Sequence, residues 1–326
     1  MSKVLRIGTR DSQLAVWQAT CVQNLLKQAG VDSELVYIKS EGDVDTVTPL
    51  YALGVQGVFT RALDAALLNH RIDIAVHSMK DVPVQLANGV RQAAVLKRAS
   101  HKDIFVYNDK TSLEELGVVN GEWLPANGTH HSSLITHGQF IIATSSTRRM
   151  AQWLNRYPNH RIENLRGNVN TRLRKLKESN WNGAIFAAAG LERIDLRPEN
   201  SVELDWMLPA PAQGAIMVVC RTDDAFSFES CQSFNDEDTA LCAKIERDFL
   251  KELMGGCSTP IAGIAEMNGT NILFRGNILS PDGSQKVETA LSVPKSMAEE
   301  LGQQAAKDIL QKGGQAILDK FKSDAK

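Results

Sequence analysis

Cationic and hydroxyl side chains recur at the predicted ends of several β-strands in this 326-residue chain. These residues, which we call the strand-end set, are Arg10, Ser12, Lys80, Ser146, Arg148, Arg149, Arg166, Arg172 and Arg193. Guanidinium, ammonium and hydroxyl groups at strand ends and helix starts are suited to bind carboxylates or phosphates. A single loop arginine is usually a solvated charge, but the recurrence predicts a concave site for a polyanion.

An acidic residue, Asp81, stands directly beside Lys80 in the segment from Val76 to Pro83, which follows a predicted strand. One interpretation of Asp81 is an ordinary helix cap or ion-pair partner in a turn. The other is a carboxylate, kept ionised by cations, that stabilises positive charge on a ring and passes a proton to a leaving amine. His77 in the same segment is interpreted as a hydrogen-bonded structural residue and receives no catalytic role.

The thiol of Cys257 follows two glycines, Gly255 and Gly256, just after a predicted long helix. Free cysteines are usually small buried hydrophobic residues. Two glycines before the thiol let another group approach the backbone closely, which favours a point of covalent attachment. The residues alone leave both interpretations open.

The cysteines and histidines do not predict a metal site. The five cysteines are widely spaced and never form a C-x-x-C pair, which argues against a disulfide framework and a zinc site. Three histidines, His130, His131 and His137, fall in a polar segment without companion ligands. We interpret that segment as an exposed loop and predict no metal.

The bulk composition limits the classes of partner. The net charge is −2, from 36 Lys and Arg against 38 Asp and Glu, so the surface has no overall field for nucleic acid or an anionic membrane. No stretch approaches the ~18 uninterrupted apolar residues of a membrane span, and we expect a cytoplasmic protein. At this length and 43% hydrophobic residues, two or three domains are expected.

The elements that position these residues alternate between short β-rich runs and stretches with helical spacing. Val4 to Gly8 predicts a strand, and the apolar residues from Leu14 to Leu25 predict a helix that Gly30 closes. A second series of the same kind runs from about Ile104 to Ala189. This alternation predicts parallel sheets covered by helices on both faces. A later antiparallel hairpin around Pro281-Asp282-Gly283 indicates an α+β tail.

Seven motifs occur along the chain in a fixed order: LRIGTRDSQLA, DIAVHSMKDVP, TSSTRR, LRGNVNTRL, AAAGLER, LPAPAQGA and MGGCSTPI. Together they resemble the hydroxymethylbilane synthase (porphobilinogen deaminase) family. The resemblance runs from about Val4 to the C-terminal helices.

The resemblance implies an α/β fold with two domains similar to type II periplasmic binding proteins and a smaller C-terminal α+β domain. We predict domain 1 at residues 1–98 with 212–232, and domain 2 at 99–211 with a polar insertion near 120–138. Domain 3 is predicted at 233–326 and would carry the cofactor. The family also implies a monomer.

The resemblance further implies a chemistry for the residues described above. Cys257 would hold a dipyrromethane cofactor through a thioether, Asp81 would be the catalytic carboxylate, and the strand-end set would bind carboxylates of cofactor and substrate. Within that set, Arg10, Arg148, Arg149 and Arg172 match the family's substrate-handling positions most closely. Four porphobilinogen molecules would be deaminated to azafulvenes and condensed in turn, before hydrolysis releases 1-hydroxymethylbilane.

The sequence departs from the family pattern at three places, one of which is the insertion from Asn120 to Gly138, which is longer than the family leads us to expect. The family has Gly-Gly-Lys-Gly-Leu-Phe where this chain has Gly-Val-Gln-Gly-Val-Phe from Gly54 to Phe59, so Gln56 replaces a loop cation. Thr147 stands where leucine is commoner. These departures affect expectations about loop motion and turnover rate, and they leave Asp81 and Cys257 in place.

Two other classes of function use part of the same sequence. A non-enzymatic α/β protein that binds a small carboxylate ligand would need the strand-end set but would have no use for Cys257. A nucleic-acid or interaction module would need salt-sensitive polyanion binding without turnover. Covalent loading of the chain would separate the first expectation from both alternatives.

Overall fold

The computed structural model describes residues 3–39, 60–109, 111–119, 121–123, 139–253 and 259–324. In chain order the strands are β1 (Leu5–Thr9), β2 (Ser33–Tyr37), β3 (Ile74–Ser78), β4 (Val90–Val95), β5 (Asp103–Tyr107), β6 (Val118–Val119), β7 (Glu122–Trp123), β8 (Ile141–Ala143), β9 (Arg161–Glu163), β10 (Gly183–Ala187), β11 (Ser201–Glu203), β12 (Ile216–Arg221), β13 (Ile261–Asn268), β14 (Asn271–Leu279) and β15 (Lys286–Pro294).

The α-helices of the same residues are α1 (Gln13–Gln28), α2 (Arg61–Leu68), α3 (Thr147–Arg156), α4 (Val169–Glu178), α5 (Ala188–Glu192), α6 (Ala225–Gln232), α7 (Glu237–Glu252), α8 (Leu301–Ile309) and α9 (Gln315–Asp324). Short 3₁₀ helices span Met79–Asp81 and Lys295–Glu300, and a π-helical turn spans Leu310–Gly314. Helix α1 ends as predicted, because Gly30 adopts φ +76° just beyond it.

Two five-stranded sheets have the same pattern of strand directions. The first has the order β2-β1-β3-β12-β4, and the second has the order β9-β8-β10-β5-β11. In each, three parallel strands lie beside one that is antiparallel to both of its neighbours, β12 or β5. Each sheet is therefore mixed, whereas the alternation predicted a parallel sheet. Both antiparallel strands are the first after the chain crosses from the other sheet, so no helical crossover sets their direction.

Both faces of each sheet are covered, as the alternation predicted. Along β12, Val218 packs in the cluster that contains Leu26 of α1, while Met217 packs in the cluster that contains Leu67 of α2. The second sheet divides its side chains between two clusters in the same way. Because successive strand residues point to opposite faces, a strand buried on both sides is apolar along most of its length.

Two chain segments cross between the sheets and run side by side. The first lies between β4 and β5, and the second lies between β11 and β12 and contains the two prolines of the LPAPAQ motif. The amide of Ala99 donates to the carbonyl of Gly214 at 3.2 Å, and Gln213 Nε2 donates to the carbonyl of His101 at 2.8 Å. Ala212 in the second segment adopts φ +63°, in the left-handed region that favours glycine.

The C-terminal part is an antiparallel sheet in the order β13-β14-β15, packed against α7 and α8. The predicted hairpin around Gly283 is confirmed as the turn from β14 to β15. This turn also contacts the second α/β unit, since Asn155 Nδ2 donates to the carbonyl of Gly283 at 2.7 Å. A side chain at residue 283 would lie 2.4 Å from the backbone nitrogen of Asn155, so the approach requires glycine.

A fully buried carboxylate, Glu246 on α7, joins the C-terminal part to both crossing segments. It accepts the amide of Ala212 at 2.6 Å and the amide of Ala265 at 2.8 Å. The guanidinium of Arg98 lies 2.9 Å away. Burial raises the pKa of Glu246 against the effect of Arg98.

The fold class is confirmed: two α/β units and a smaller C-terminal α+β unit. Each of the four sheets among the described residues, including the two-stranded β6-β7 sheet, falls within one predicted domain, so we propose residues 1–98 with 212–232, 99–211 and 233–326 as domains 1, 2 and 3. Among the described residues, the structure contains no helix with the length and apolar character needed to cross a membrane.

Candidate functional site

A cleft of about 510 Å³ opens between domains 1 and 2, where strands of both sheets end. Seven of the nine strand-end residues line it: Arg10, Ser12, Lys80, Arg149, Arg166, Arg172 and Arg193. Asp81 lines the same cleft, whereas Ser146 and Arg148 do not border it. The ends of the strands therefore bring most of the predicted groups together from both domains.

The domain 1 wall begins where β1 ends. Arg10 is half-buried, and Ser12 is the N-cap residue of α1, but the Ser12 hydroxyl makes no hydrogen bond to the helix. The first amides of a helix carry a partial positive charge, and a hydroxyl that does not cap them can bind a ligand.

Asp81 is half-buried at the end of the short 3₁₀ helix that follows β3. Among the described residues, no hydrogen bond or ion pair within 4 Å involves its carboxylate. Burial lowers the pKa of Lys80 and of Arg172 across the cleft, and the negative charge of Asp81 offsets part of that lowering in each. A carboxylate with cations around it and oxygens available for a ligand suits the catalytic role that the resemblance implies.

Burial lowers the pKa of Lys80 to about 8, and the positive charge of Arg149 acts in the same direction. The ammonium donates to Gln213 Oε1 at 3.3 Å, which ties it to the second crossing segment. Near neutral pH this group is an ammonium close to its titration range, so its charge depends on what else occupies the cleft.

The domain 2 wall is built around one buried acid. Arg149 donates to Asp103 Oδ1 from Nε at 3.1 Å and from Nη2 at 2.7 Å. Arg148 lies 2.8 Å from Asp103 Oδ2 and donates to the carbonyl of Leu208 at 2.6 Å. These two cations hold the pKa of Asp103 far below its usual range despite its burial. Ser146 caps α3 by accepting the amide of Arg149 at 3.4 Å.

Three further arginines complete this wall. Arg166 is buried just after β9, and Arg172 lies in the first turn of α4, where its Nε donates to the carbonyl of Gly167 at 2.7 Å. Burial, with Arg149 nearby, lowers the pKa of Arg172 to about 10. Arg193 donates to the carbonyl of Gly214 at 2.6 Å and lies 5.7 Å from the ring centre of Trp17 in domain 1.

The sequence analysis missed two residues that organise the site. Asp103 is the shared counter-ion of Arg148 and Arg149, and Gln213 links Lys80 Nζ to Asp103 by donating to Oδ1 at 2.9 Å. The signal for Asp103 is an acid at the start of a strongly apolar strand, where a charge is rare without a partner. No signal in the sequence connects Gln213 to either group.

His77 is buried, and burial lowers its pKa to about 4, with Arg10 as the second cause. It is therefore neutral near pH 7, and the structural role predicted for it stays a prediction. Several predicted features lie outside the described residues: Cys257, the Gly54–Phe59 segment with Gln56, and the three histidines of the insertion. Within the part of the chain that is described, no group of three or more His, Cys, Asp or Glu side chains could hold a metal ion.

Six cationic side chains and two carboxylates, Asp11 and Asp81, line the cleft among the described residues. The excess of positive charge, in a cavity large enough for more than one small ring, suits a ligand that carries several carboxylates. Arg148 serves that wall indirectly, because its contacts with Asp103 and Leu208 hold α3 in place.

Comparison with known proteins gives two family matches that together span most of the chain. The family model described as porphobilinogen deaminase, dipyromethane cofactor binding domain, matches residues 5–229. The model described as porphobilinogen deaminase, C-terminal domain, matches residues 240–311. A porphobilinogen deaminase from Syntrophomonas wolfei is 39% identical over 318 residues, which cover 96% of this chain and 97% of that protein.

Solved structures give more distant matches. The VFT2 domain of Bordetella pertussis BvgS is 11% identical, with a TM-score of 0.40, over 73% of this chain and 90% of that one. A Salmonella typhimurium periplasmic binding protein with high arginine specificity is 9% identical, with a TM-score of 0.40, over 73% of this chain and 94% of that one. Similarity at this level carries no inference about function.

Proposed function

The chain belongs to the porphobilinogen deaminase (hydroxymethylbilane synthase) family, and we propose that its cleft condenses four porphobilinogen molecules head to tail and releases 1-hydroxymethylbilane. It is a transferase of tetrapyrrole synthesis. One observation carries the detailed proposal: the carboxylate of Asp81, with no hydrogen bond from the described residues, shares a single cleft with six cationic side chains.

The cations suit the substrate because porphobilinogen carries an acetate and a propionate, and every added pyrrole brings two more carboxylates. We propose that the seven strand-end residues of the cleft bind these groups. Charge-assisted hydrogen bonds from guanidinium groups to carboxylates are strong and directional. The other two members act within domain 2: Ser146 caps α3, and Arg148 is held by Asp103.

The family's cofactor fits the chemistry of the cleft. A dipyrromethane consists of two such pyrroles, and the excess of cations over carboxylates in the lining would balance its charge. We propose Cys257 as its point of attachment through a thioether. When bound, the group supplies a free pyrrole carbon to which the next substrate unit is joined.

Asp81 is the proposed catalytic carboxylate. The carbon–nitrogen bond of the substrate's protonated aminomethyl group breaks, and ammonia leaves with the bonding electron pair. Asp81 accepts a hydrogen bond from the pyrrole N–H and stabilises the positive charge that develops on that ring. After the new carbon–carbon bond forms, the same carboxylate is placed to take up the proton that the attacking pyrrole carbon loses.

We further propose that the enzyme works as a cytoplasmic monomer, with porphobilinogen as its partner and without nucleic acid, membrane or metal. The small net charge of −2 supports the part of this proposal that concerns nucleic acid and anionic membranes, since it favours local anion binding over a broad electrostatic surface.

Intact-mass measurement of the purified protein tests the proposal. The wild type is expected to exceed its sequence mass by two condensed pyrroles, to gain further pyrrole units with porphobilinogen, and to release ammonia. Cys257→Ala should show no added mass. Asp81→Asn should slow ammonia release by about 100-fold or more, while Asp109→Asn, an exposed acid of domain 2, should leave it unchanged. A wild-type mass equal to the bare chain, with reversible ligand uptake only, would favour the carboxylate-binding protein instead.

A further inference from the structure

The turn that carries Asp81 has little regular structure of its own. It consists of a three-residue 3₁₀ helix, closed by the amide of Val82 donating to the carbonyl of Met79 at 3.1 Å, and then an irregular stretch that continues to β4. Hydrogen bonds in 3₁₀ helices have poorer geometry than those in α-helices. Contacts from elsewhere in the molecule must therefore determine how this turn is oriented.

One side chain from domain 3, Arg247 on α7, makes such contacts. Its Nη1 donates to the carbonyl of Val82 at 2.9 Å and lies 3.5 Å from the carbonyl of Met79. Its Nη2 donates to the carbonyls of Pro83 at 2.6 Å and Val84 at 3.1 Å. A single planar guanidinium thus contacts carbonyls on both sides of Asp81, and its fixed fork of N–H donors makes the arrangement geometrically demanding.

Helix α7 itself is firmly placed. Ala243, one turn before Arg247, packs in the same core cluster as Met79 and Val82 of domain 1. The opposite face of the helix, with Ile245 and Phe249, lies in the core of domain 3. Arg247 therefore extends from a rigid support, which is what a side chain needs in order to position another group.

The carboxylate of Asp81 makes no hydrogen bond with the described residues, so the backbone of its turn sets where its oxygens lie. Misplacement of a reacting group by about 1 Å can cost on the order of 100-fold in rate. From this geometry we infer that Arg247 is a positioning residue for Asp81. The inference rests on the proposed function, in which Asp81 is the group that reacts.

An arginine that only stabilised the domain 1–domain 3 interface would affect folding but would not act through Asp81. Two variants separate these roles. Arg247→Met removes the donors and keeps much of the side-chain length, and Arg247→Lys keeps the charge but replaces the planar fork with one ammonium. Lys244→Met is the matched control, since Lys244 lies one turn earlier on α7, is exposed, and pairs with Asp248 and the carbonyl of Glu299, both outside the cleft.

The experiment measures kcat, KM for porphobilinogen, intact mass and thermal unfolding for each holoenzyme. Arg247→Met is expected to lower kcat by about 30-fold with a KM change under about threefold. The kcat of Arg247→Lys should lie between those of Arg247→Met and the wild type. If Arg247→Met does not fold, Arg247→Lys alone tests the inference. Cofactor mass should be retained in both, and Lys244→Met should match the wild type.

A double-mutant cycle with Asp81→Glu tests whether Arg247 acts through Asp81. The longer side chain already displaces the carboxylate, so adding the Arg247 substitution should lower kcat by less than about threefold more. Full additivity of the two losses, or an unchanged kcat in both Arg247 variants, would overturn the inference. A wild type without covalent pyrrole mass and without turnover would instead remove the proposed function, so the two failures are distinguishable.

Discussion

Domains 1 and 2 share one pattern of strand directions, yet the side chains at equivalent positions make different contacts. After β1, the hydroxyl of Ser12 makes no cap to α1, whereas after the equivalent strand β8 the hydroxyl of Ser146 caps α3. Domain 2 also neutralises two of its cations with a buried acid, Asp103. In the described part of domain 1, Lys80 and Asp81 have no buried counter-ion of that kind. Two domains with the same strand pattern therefore contribute differently to the cleft. Domain 2 provides arginines held in place by a buried acid, and domain 1 provides Lys80 and Asp81, whose charges are not neutralised in this way.

The largest effect is expected from removing the counter-ion of domain 2. Asp103→Asn would leave the guanidinium groups of Arg148 and Arg149 buried without a full negative charge, which should lower the free energy of unfolding by about 3–5 kcal/mol. Chemical denaturation at pH 7 measures this. Asp205→Asn, which removes an exposed partner of Lys102, should cost less than about 1 kcal/mol.

The pH dependence of the same variant has a defined sign. Because the folded-state pKa of Asp103 lies below its usual range, its contribution is complete above the unfolded-state value of about 3.9 and is lost as pH falls towards the folded value. The stability gap between wild type and Asp103→Asn should therefore stay constant from pH 8 to pH 5 and narrow only in stronger acid. A gap that closes near pH 6 would contradict this role.

The second prediction concerns the protonation of Lys80 in the domain 1 wall of the cleft. Lys80 loses its proton as pH rises through about 8, so KM for porphobilinogen should rise by about tenfold between pH 7 and pH 9.5 as one charge-assisted hydrogen bond is lost. Lys80→Arg should remove most of this rise, because a guanidinium stays protonated throughout that range.

Lys102→Arg is the control for that measurement. Its ammonium is paired with Asp205 away from the cleft, so the wild-type rise should persist. If Lys80→Arg kept the same pH dependence as the wild type, another group would be responsible for it.

The smallest effect tests the two helix starts directly. Ser146→Ala should lower the free energy of unfolding by about 1 kcal/mol, because it removes the cap of α3. Ser12→Ala should change stability by less than about 0.5 kcal/mol and should instead raise KM, since that hydroxyl caps nothing. Equal stability losses in the two variants would show that the domains do not differ in this respect.

The sequence predicted the helices and strands better than it predicted how elements distant in the chain pack against one another. Apolar periodicity identified the strand–helix alternation and the hairpin at Gly283, because those patterns are local. It did not reveal the antiparallel entry of β5 and β12, which depends on the path between domains. The strand-end set reached the cleft except at Ser146 and Arg148. Arg148 and Arg149 are consecutive, and spacing alone does not tell which guanidinium lines a cavity and which is held behind it.

The shared counter-ion illustrates why the remainder was not predictable. Asp103 lies more than 40 residues before Arg148 and Arg149 in the chain, and the contacts between them depend on how β5 and α3 pack in the folded domain. No local sequence pattern predicts a contact between residues so far apart. Its recognition requires the observation that a buried charge needs a partner, followed by a structure that supplies one.

The buried carboxylate of Glu246 limits how this protein can be taken apart or recombined. Two family models match it as separate N-terminal and C-terminal pieces, yet Glu246 in the second piece depends on Arg98 and the amide of Ala212 in the first. If the C-terminal domain were expressed alone, or fused to an unrelated N-terminal domain, the carboxylate of Glu246 would lose the hydrogen-bond donors that Arg98 and Ala212 supply. A chimera in which this C-terminal domain replaces that of another protein should therefore fold only if both crossing segments are transferred together with it.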